Sequence, residues 1–504
     1  MSIEIEPHEL PEWARELGAD IKKNRPPSYV KLLNLPPLVP LHSPYKEYDF
    51  EVLGGFLALL SRTFMNPHEP VPRVISECTP ESCAGIGRAL LDVWANKGHT
   101  MTYKWLLWSQ VPLGGVDSVL ELERLVEEWV FGTSAQRDRA CQIIRVLGKM
   151  ASPEALTVIG RYRQIERSPK VHGAALQAFS SAARALDLTD LELEDRIVPD
   201  YGLDARGRRV FDYGARTFEL VFRENLYPAL RDEDGKVHKS PPRARKSDDR
   251  LKVEQVKRAW SDLNEHLKRA GRVHRTRVER YMVSGRRWRA DEWDTAIRTH
   301  PFMQHFARNL LWGIYDPQTD ALTSTFCVSN DLSVLDRDDD EVTLSPTAHV
   351  GVVHPIDLDN STLTAWSNLF AEDERFEPFE QLGRTVYALE RDEAPGNTVT
   401  RFADRVAQPR ALRTYFKYQG FHRGNNDDYL RTSYWKELRD GGWSYTVHLS
   451  PGLNVGSYEG DVEQVVSQLT FSNRPHGSAE PIHEVPACFI SEALRDIERI
   501  LSRS

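Results

Sequence analysis

The chain has 504 residues, of which 40% are hydrophobic and 28% are charged, and its formal net charge is −9. These values are close to globular averages and exclude a largely disordered, collagen-like or coiled-coil protein. At about 150 residues per domain, the length predicts roughly three domains. No run of about 18 apolar residues occurs and the N-terminus is acidic, so neither a membrane span nor a secretory signal is predicted. Five cysteines favour a reducing, cytoplasmic location over a disulfide framework.

Residues 1–50 are predicted to form a proline-rich extended arm. Prolines recur through this stretch, among them Pro26, Pro27, Pro36 and Pro37. Each proline removes a backbone donor and disfavours helix at the residue before it. Because the arm also carries many apolar residues, we expect it to pack across another domain.

Residues 51–195 are predicted to form an α-helical repeat domain. Ser152-Pro153 and Ser168-Pro169 each place serine at an N-cap and proline at the first helical position. Candidate helix starts recur roughly every 16 to 18 residues, which gives two helices in a unit of about 35. This spacing is typical of a HEAT-like α-solenoid, and an ordinary helical bundle is the alternative.

The pattern changes at residues 196–240, which are predicted to form an antiparallel β meander. Turn clusters around Gly207, Gly214 and Gly235 separate short runs rich in β-branched and aromatic residues. Such regular alternation of turn signals and short apolar runs is typical of hairpin-connected strands.

Residues 241–290 are predicted to form a basic linker followed by a long helix. Apolar residues recur there at steps of three and four, which places them on one helical stripe. The stripe consists of Val253, Val256, Trp260, Leu263, Leu267 and Ala270.

The segment 236–289 contains 18 Lys or Arg residues against six acidic residues. A basic stripe near aromatic residues is one form of a nucleic-acid surface, because cations neutralise backbone phosphates. The alternatives are that the helix docks on acidic surface of the same chain, or that its charges are simply solvated. The nucleic-acid candidates are Arg272, Arg275, Arg277, Arg286 and Arg287.

Residues 291–504 are predicted to form an α+β domain with antiparallel sheets. The whole chain is therefore predicted to be α+β, with the helical repeat region first. The predicted strands are 322–328, 342–344, 349–353, 429–438, 443–449 and 462–471. The predicted helices are 359–370, 409–418 and a terminal helix capped by Ser491.

Motifs for the common enzyme classes are missing from the sequence. It contains no phosphate-binding loop, no complete dinucleotide-binding fingerprint, no nucleophile elbow and no H-E-x-x-H metalloprotease motif. Cys78 and Cys83 have no second cysteine pair to complete a zinc site, so buried free thiols are expected there. The sequence thus assigns no cofactor and no metal.

Several segments, spread over about residues 190–504, resemble the bacterial family called domain of unknown function 4132, whose members include molybdate-metabolism regulator-like (MolR-like) proteins. The helices before residue 190 resemble the helical repeats usual in that family. The resemblance implies a role in an assembly, because such proteins resemble components encoded beside AAA+ ATPases. It implies no reaction. The matching segments are 193–200, 202–204, 212–214, 284–288, 300–302, 307–313, 353–355, Trp366, 378–384 and 491–496.

Four residues within these segments are the candidates for a polar site: His300, Arg308, His354 and Arg384. Arg308 and Trp312 are predicted to project from one face of a helix, because they are four residues apart. His354 is expected to end a strand, and Arg384 to precede a strand over 386–389. We expect the four side chains to converge if a polar site exists. The alternative is that these segments shape turns and core only.

Three functions follow from these observations. The leading hypothesis is a non-enzymatic, cytosolic scaffold protein that binds a protein partner in a bacterial regulatory or defence assembly. The second is an enzyme that acts on a phosphorylated or carboxylated substrate through the His/Arg site. The third is nucleic-acid binding through residues 236–289.

Overall fold

The computed structural model describes residues 3–6, 8–23, 27, 35–43, 46–64, 70–163, 168–391, 393, 395–438, 442–455, 461–474 and 477–502. The chain divides into two compact units, Met1–Pro199 and Asp200–Ser504. Residues 24–26 and 28–34 of the predicted arm lie outside the described residues.

The first unit is built from helices, with a short parallel pairing of strands β1 (Ile3–Glu4) and β2 (Lys46–Glu47). The helices are α1 (Glu12–Lys23), α2 (Phe50–Thr63), α3 (Val71–Glu77), α4 (Pro80–Asn96), α5 (Lys104–Trp108), α6 (Gln110–Leu113), α7 (Val116–Trp129), α8 (Ser134–Met150), α9 (Pro153–Tyr162), α10 (Pro169–Ala185) and α11 (Asp190–Arg196).

The helix starts follow from capping residues in the sequence. Ser152 accepts a hydrogen bond from the backbone N–H of Ala155 at 3.3 Å, as its place before Pro153 predicts. Helix α8 begins with a capping box, in which Thr133 and Gln136 satisfy each other's backbone N–H groups. The apolar faces of these helices share one continuous core, which confirms the predicted helical character of the region.

The second unit begins with an antiparallel sheet whose strand order is β3-β4-β5-β6. Its strands are β3 (Val210–Asp212), β4 (Thr217–Arg223), β5 (Tyr227–Asp232) and β6 (Val237–His238). Each strand pairs with the next one along the chain, and β5 is not among the predicted strands.

A long helix, α12 (Arg250–Ser284), follows the sheet. The six predicted stripe residues are all buried, so the expected periodicity is confirmed. Asp249 caps the first turn by accepting from the backbone N–H of Leu251 at 2.8 Å. The helix ends at Gly285, whose φ of +67° is a left-handed conformation that glycine adopts without strain.

The remaining elements form two more antiparallel sheets with helices packed on them, which confirms the α+β class. One sheet has the order β10-β9-β8-β11-β7; in the other, the order is β12-β18-β17-β16-β14, with β13 also on β18 and β15 on β16. The strands are β7 (Trp288–Arg289), β8 (Trp312–Tyr315), β9 (Leu322–Val328), β10 (Val334–Leu335), β11 (His349–Val352), β12 (Thr398–Val399), β13 (Val406–Ala407), β14 (His422–Arg423), β15 (Asn426–Asp427), β16 (Leu430–Glu437), β17 (Ser444–Asn454) and β18 (Gln464–Ser472). The helices are α13 (Ala290–Trp293), α14 (Gln304–Ala307), α15 (Asn360–Glu372), α16 (Pro409–Tyr418) and α17 (Ala487–Leu501).

Two local predictions about the site segments were wrong. Arg308 and Trp312 do not share a helix, because α14 ends at Ala307 and Trp312 begins β8. Residues 386–389 do not form a strand. Instead, the backbone N–H of Tyr387 donates to the hydroxyl of Ser491 at 3.0 Å, so this segment is held by a helix side chain.

Two further boundaries differ from the predictions. Ser491 is not an N-cap, since α17 begins at Ala487 and Ser491 lies inside the helix. Residues 342–344 do not form a strand; Val342 only donates its N–H to the carbonyl of Val334 at 2.8 Å. Among the described residues, no helix combines the length and apolarity needed to cross a bilayer.

Candidate functional site

His354 was predicted to end a strand, and it lies two residues after the end of β11 with its side chain buried. Its Nδ1 atom accepts a hydrogen bond from the backbone N–H of Ile356 at 3.1 Å. An imidazole nitrogen that accepts a hydrogen bond carries no proton, so the neutral ring is protonated at Nε2. That Nε2–H group lies 3.2 Å from Oε1 of Glu492 on α17 and donates to it.

Arg384 contacts the same carboxylate. Its Nε and Nη2 atoms donate to the two oxygens of Glu492 at 2.7 and 2.5 Å, a bidentate pair. Its Nη1 atom donates to Glu279 on α12 at 2.7 Å and to the carbonyl of Glu380 at 3.2 Å. The structure thus brings together two of the four predicted site residues, His354 and Arg384.

We call this cluster the Glu492 network; it consists of His354, Arg384, Glu279 and Glu492. In it, the buried charges of Arg384 and Glu492 are paired with each other. Burial acts to raise the pKa of Glu492, but hydrogen bonds from Arg384 and His354 outweigh it and hold that pKa well below its ordinary value. The side chains of Arg384 and Glu492 are only 2% and 7% exposed. Because all three Arg384 nitrogens and both His354 nitrogens contact protein groups, the arrangement binds α17 to α12 and to the end of β11.

A second buried carboxylate on α17, Asp496, is held in a similar way. It accepts hydrogen bonds from the hydroxyls of Tyr415 and Tyr445 at 2.7 and 2.5 Å. Lys436 donates to it at 2.7 Å. The charged residues of α17 therefore fasten this helix into the second unit.

His300 and Arg308 lie in a different cluster of the second unit. His300 caps a turn by accepting from the backbone N–H groups of Phe302 and Met303 at 3.1 and 3.2 Å. Arg308 donates to the side-chain oxygen of Gln304 at 2.5 Å. These hydrogen bonds join residues of one turn. None of them reaches the Glu492 network.

His305 and Gln304, in the same turn, contact the loop that precedes β3. Its Nε2 atom lies 3.0 Å from the carbonyl of Gly207, and the amide of Gln304 donates to the carbonyl of Ala205 at 3.1 Å. Burial, with a contribution from Arg308, lowers the pKa of His305 to about 4, so the ring is neutral at pH 7. The turn therefore fixes the loop that leads into β3.

The described residues provide no metal centre. No three His, Cys, Asp or Glu side chains among them are close enough to hold an ion. Cys78 and Cys83 are free thiols, and both are buried.

The basic residues predicted for nucleic acid lie in several environments. Arg277 is buried, with its guanidinium 5.6 Å from the Tyr281 ring centroid. Arg287 stacks 3.4 Å from the centroid of Tyr315 and pairs with Asp320 at 2.9 Å.

The other three candidates lie nearer the surface. Arg272 is exposed, whereas Arg275 and Arg286 are half-buried. The guanidinium of Arg286 lies 5.5 Å from the Trp288 ring centroid. The predicted cations therefore do not present one continuous exposed row.

The first unit carries a feature that the sequence analysis missed, a groove of about 630 Å³ between α5, α8 and α10. Trp108, Cys141 and Ala174 form an apolar part of its wall and are buried. The charged residues of the wall are Lys104, Arg145, Lys170 and Asp138.

Only part of the groove's charge is neutralised within the protein. Lys170 pairs with Asp138, and the Lys104 ammonium lies 5.5 Å from the Phe64 ring centroid. Arg145 is exposed and makes no ion pair among the described residues. Three cations against one carboxylate give the groove positive character. No short motif signals it, because its residues come from separate helices.

Comparison with known proteins gives a distant relationship. Residues 235–421 match the family described as Domain of unknown function (DUF4132). The chain is 26% identical over 419 residues to "Uncharacterized protein YehI" of Escherichia coli (strain K12), covering 83% of this chain and 34% of that protein. This chain thus spans about a third of the length of that relative. No solved structure matches the chain. The predicted resemblance to the domain of unknown function 4132 is therefore confirmed over residues 235–421.

Proposed function

We propose that this chain is a docking module in a larger assembly, and that its first unit binds an acidic segment of a protein partner. The observation that carries the proposal is the positively charged groove between α5, α8 and α10. A volume of about 630 Å³ is within the range of clefts that bind ligands in proteins.

The packing of the helices supports a binding platform. Helices α7 to α10 each contact the next helix, and α7 contacts α9 as α8 contacts α10. Contacts between successive and next-but-one helices are typical of layered helical repeats. In addition, α8 contacts α5 and α7 contacts α4. We propose a HEAT-like arrangement on this basis, with the groove on one side of the layers.

The chemistry of the wall favours an acidic occupant with an apolar anchor. Lys104, Arg145 and Lys170 supply cations at the mouth, whereas the chain as a whole has a net charge of −9. Electrostatic complementarity speeds encounter and selects partners by sign of charge. Trp108 and Ala174 offer apolar contact for a side chain that enters between the helices.

The wider setting follows from the sequence resemblance. We propose a cytoplasmic, bacterial regulatory or defence assembly of the MolR-like kind, with an AAA+ ATPase as a candidate member. Within this assembly, we propose that the chain is organised into the five predicted segments 1–50, 51–195, 196–240, 241–290 and 291–504.

The test uses Gly173, which lies in the groove wall on α10. A Cβ atom built there meets nothing within 4 Å, so a larger side chain can occupy the groove without moving the backbone. Fluorescence polarisation is measured with a fluorescein-labelled peptide of glutamates around a central leucine pair. We expect Gly173→Trp to weaken binding at least about tenfold, because the indole fills the space that the leucines need.

Two further variants make the result specific. Ser181→Trp adds the same side chain to an exposed position of α10 outside the groove, and we expect it to bind like the wild type. Arg145→Glu is expected to weaken binding, and to remove much of its dependence on salt, since it reverses a charge that has no ion-pair partner in the described part of the chain. Equal affinity of the wild type for a lysine-substituted peptide, or equal effects of both tryptophan variants, would contradict the proposal.

A further inference from the structure

The sheet β3-β4-β5-β6 leaves the outer edge of β3 unpaired among the described strands. An edge strand presents backbone N–H and C=O groups to which another strand can pair. At this edge, Val210 is 64% exposed, whereas the next residue, Phe211, is buried.

The ladder between β3 and β4 shows which groups point outward. The carbonyl of Arg209 accepts from the N–H of Leu220 at 2.8 Å, and Tyr213 donates to the carbonyl of Arg216 at 2.9 Å. In an antiparallel pair, alternate residues of a strand bond to its neighbour. Residues 209, 211 and 213 therefore face β4, and the backbone groups of Val210 and Asp212 face the open edge.

Helix α12 runs beside this edge and forms the other wall of a groove. The groove has a volume of about 290 Å³ and is lined from the helix by Lys252, Gln255, Val256 and Ala259. The helix start is fixed to the strand, because Asp249 donates its N–H to the carbonyl of Tyr213 at 2.9 Å. Strand and helix thus form a preformed slot rather than a bare edge.

We propose that this slot binds an extended segment of a protein partner by β-strand addition to β3. In this mode the partner's backbone supplies the hydrogen bonds and its alternate side chains fill pockets. Val256 and the small Ala259 leave room for one apolar side chain of the segment.

Charge favours an acidic residue beside that apolar side chain. Arg209 and Lys252 both line the slot, and the single carboxylate there, Asp212, is shared with Lys252 at 2.6 Å. The partner is therefore an extended peptide in which apolar and acidic residues alternate. A second copy of this chain fits less well, because its own β3 would bring a second Arg209 and Lys252 to the same slot.

The geometry provides a matched pair of proline variants. Val210→Pro removes one outward N–H and leaves the bonds between β3 and β4 in place, since proline is tolerated at strand edges. Val237 on β6 is its counterpart at the opposite edge. The N–H of Asp232 donates to the carbonyl of Lys236, so the alternation places the Val237 N–H outward as well.

The experiment measures binding of a fluorescein-labelled peptide of alternating valine and glutamate to the full chain. We expect Val210→Pro to weaken binding at least about fivefold, and Val237→Pro to leave it unchanged, because one ladder hydrogen bond and its neighbour are lost only at β3. Equal effects of the two prolines, or none from either, would overturn the proposal. A peptide-independent dimer that Val210→Pro dissolves would also overturn it, in favour of a second copy.

A second measurement does not depend on how well Val210→Pro folds. In the wild type, the valine–glutamate peptide is expected to slow amide hydrogen exchange at Val210 and Asp212 but not at Val237. Unchanged exchange at all three residues under saturating peptide would refute strand addition. Because the slot is separate from the groove of the first unit, Gly173→Trp should not alter this protection.

Discussion

Substitution of Arg384 by methionine tests the role that the geometry gives to the Glu492 network. The change removes the bidentate partner of Glu492 and leaves that carboxylate in a site where it is 7% exposed. Breaking a buried ion pair by removing one partner costs about 3–5 kcal/mol, because the remaining charge stays desolvated. We therefore expect Arg384→Met to lower the free energy of unfolding of the second unit by about that amount.

The same reasoning predicts how the loss depends on pH. In the wild type the pKa of Glu492 lies below its ordinary value, so its stabilising contribution is full above about pH 5 and fades only as the pH falls through that lowered pKa. Without Arg384, burial still raises the pKa of Glu492 and the hydrogen bonds that lower it are reduced to that from His354, so the pKa rises relative to the wild type. The variant then gains a proton as the pH falls from about 7 to about 5, and its deficit should shrink.

Urea unfolding followed by tryptophan fluorescence at both pH values measures these differences. The matched control is Arg405→Met, because Arg405 also pairs with a glutamate of α17, Glu498, but on the surface. Exposed pairs contribute at most about 1 kcal/mol, so this variant should be nearly as stable as the wild type. Removing both charges with Arg384→Met and Glu492→Met should restore part of the loss. An Arg384→Met cost equal to that of Arg405→Met, or one unchanged by pH, would refute the account of the network.

Two further predictions concern α12. Asp249→Ala removes the side chain that caps its first turn and is expected to cost about 1 kcal/mol, measured by urea unfolding; an unchanged midpoint would contradict the capping role. Arg277→Ala is expected to lower the melting temperature measurably, since its buried stem and guanidinium pack on Tyr281. Arg272→Ala, at an exposed position of the same helix, should be within about 0.5 kcal/mol of the wild type in stability. A larger loss of stability in Arg272→Ala than in Arg277→Ala would contradict the burial of Arg277.

The elements that could be predicted are those whose signals are local. The stripe of α12 repeats over several turns, and Ser152-Pro153 is a cap and a first helical residue in one dipeptide. Strand β5 was not predicted, and it contains Pro228, a residue type that argues against a central strand. In the described structure, β6 pairs with Leu230 and Arg231 of β5 but not with Pro228. Pro228 therefore has a neighbouring strand on the β4 side alone, as at the edge of a sheet.

Other errors came from signals that only tertiary contacts resolve. The four-residue separation of Arg308 and Trp312 fits a helix, yet Trp312 pairs with Phe326 of β9. The next residue, Gly313, is so closely packed that a Cβ there would lie 2.4 Å from Leu322. A glycine in such a run indicates a strand approached closely by its neighbours.

The candidate site could be predicted only in part for the same reason. His354 and Arg384 were identified, but the carboxylate that joins them, Glu492, is 108 residues from Arg384 along the chain. One signal was available: Glu492 and Asp496 lie among apolar residues of the terminal helix, where charged residues are rarely buried unless paired. The groove of the first unit left no such signal, because Lys104, Arg145 and Lys170 each look like ordinary surface cations.

Amide hydrogen exchange of the first unit, with and without the glutamate–leucine peptide, tests the proposed docking function most directly. The account predicts slower exchange in α5, α8 and α10 around Trp108, Cys141 and Ala174, and no such change in Gly173→Trp. Protection confined to other helices, or the same protection in Gly173→Trp, would contradict the claim that this groove receives the partner.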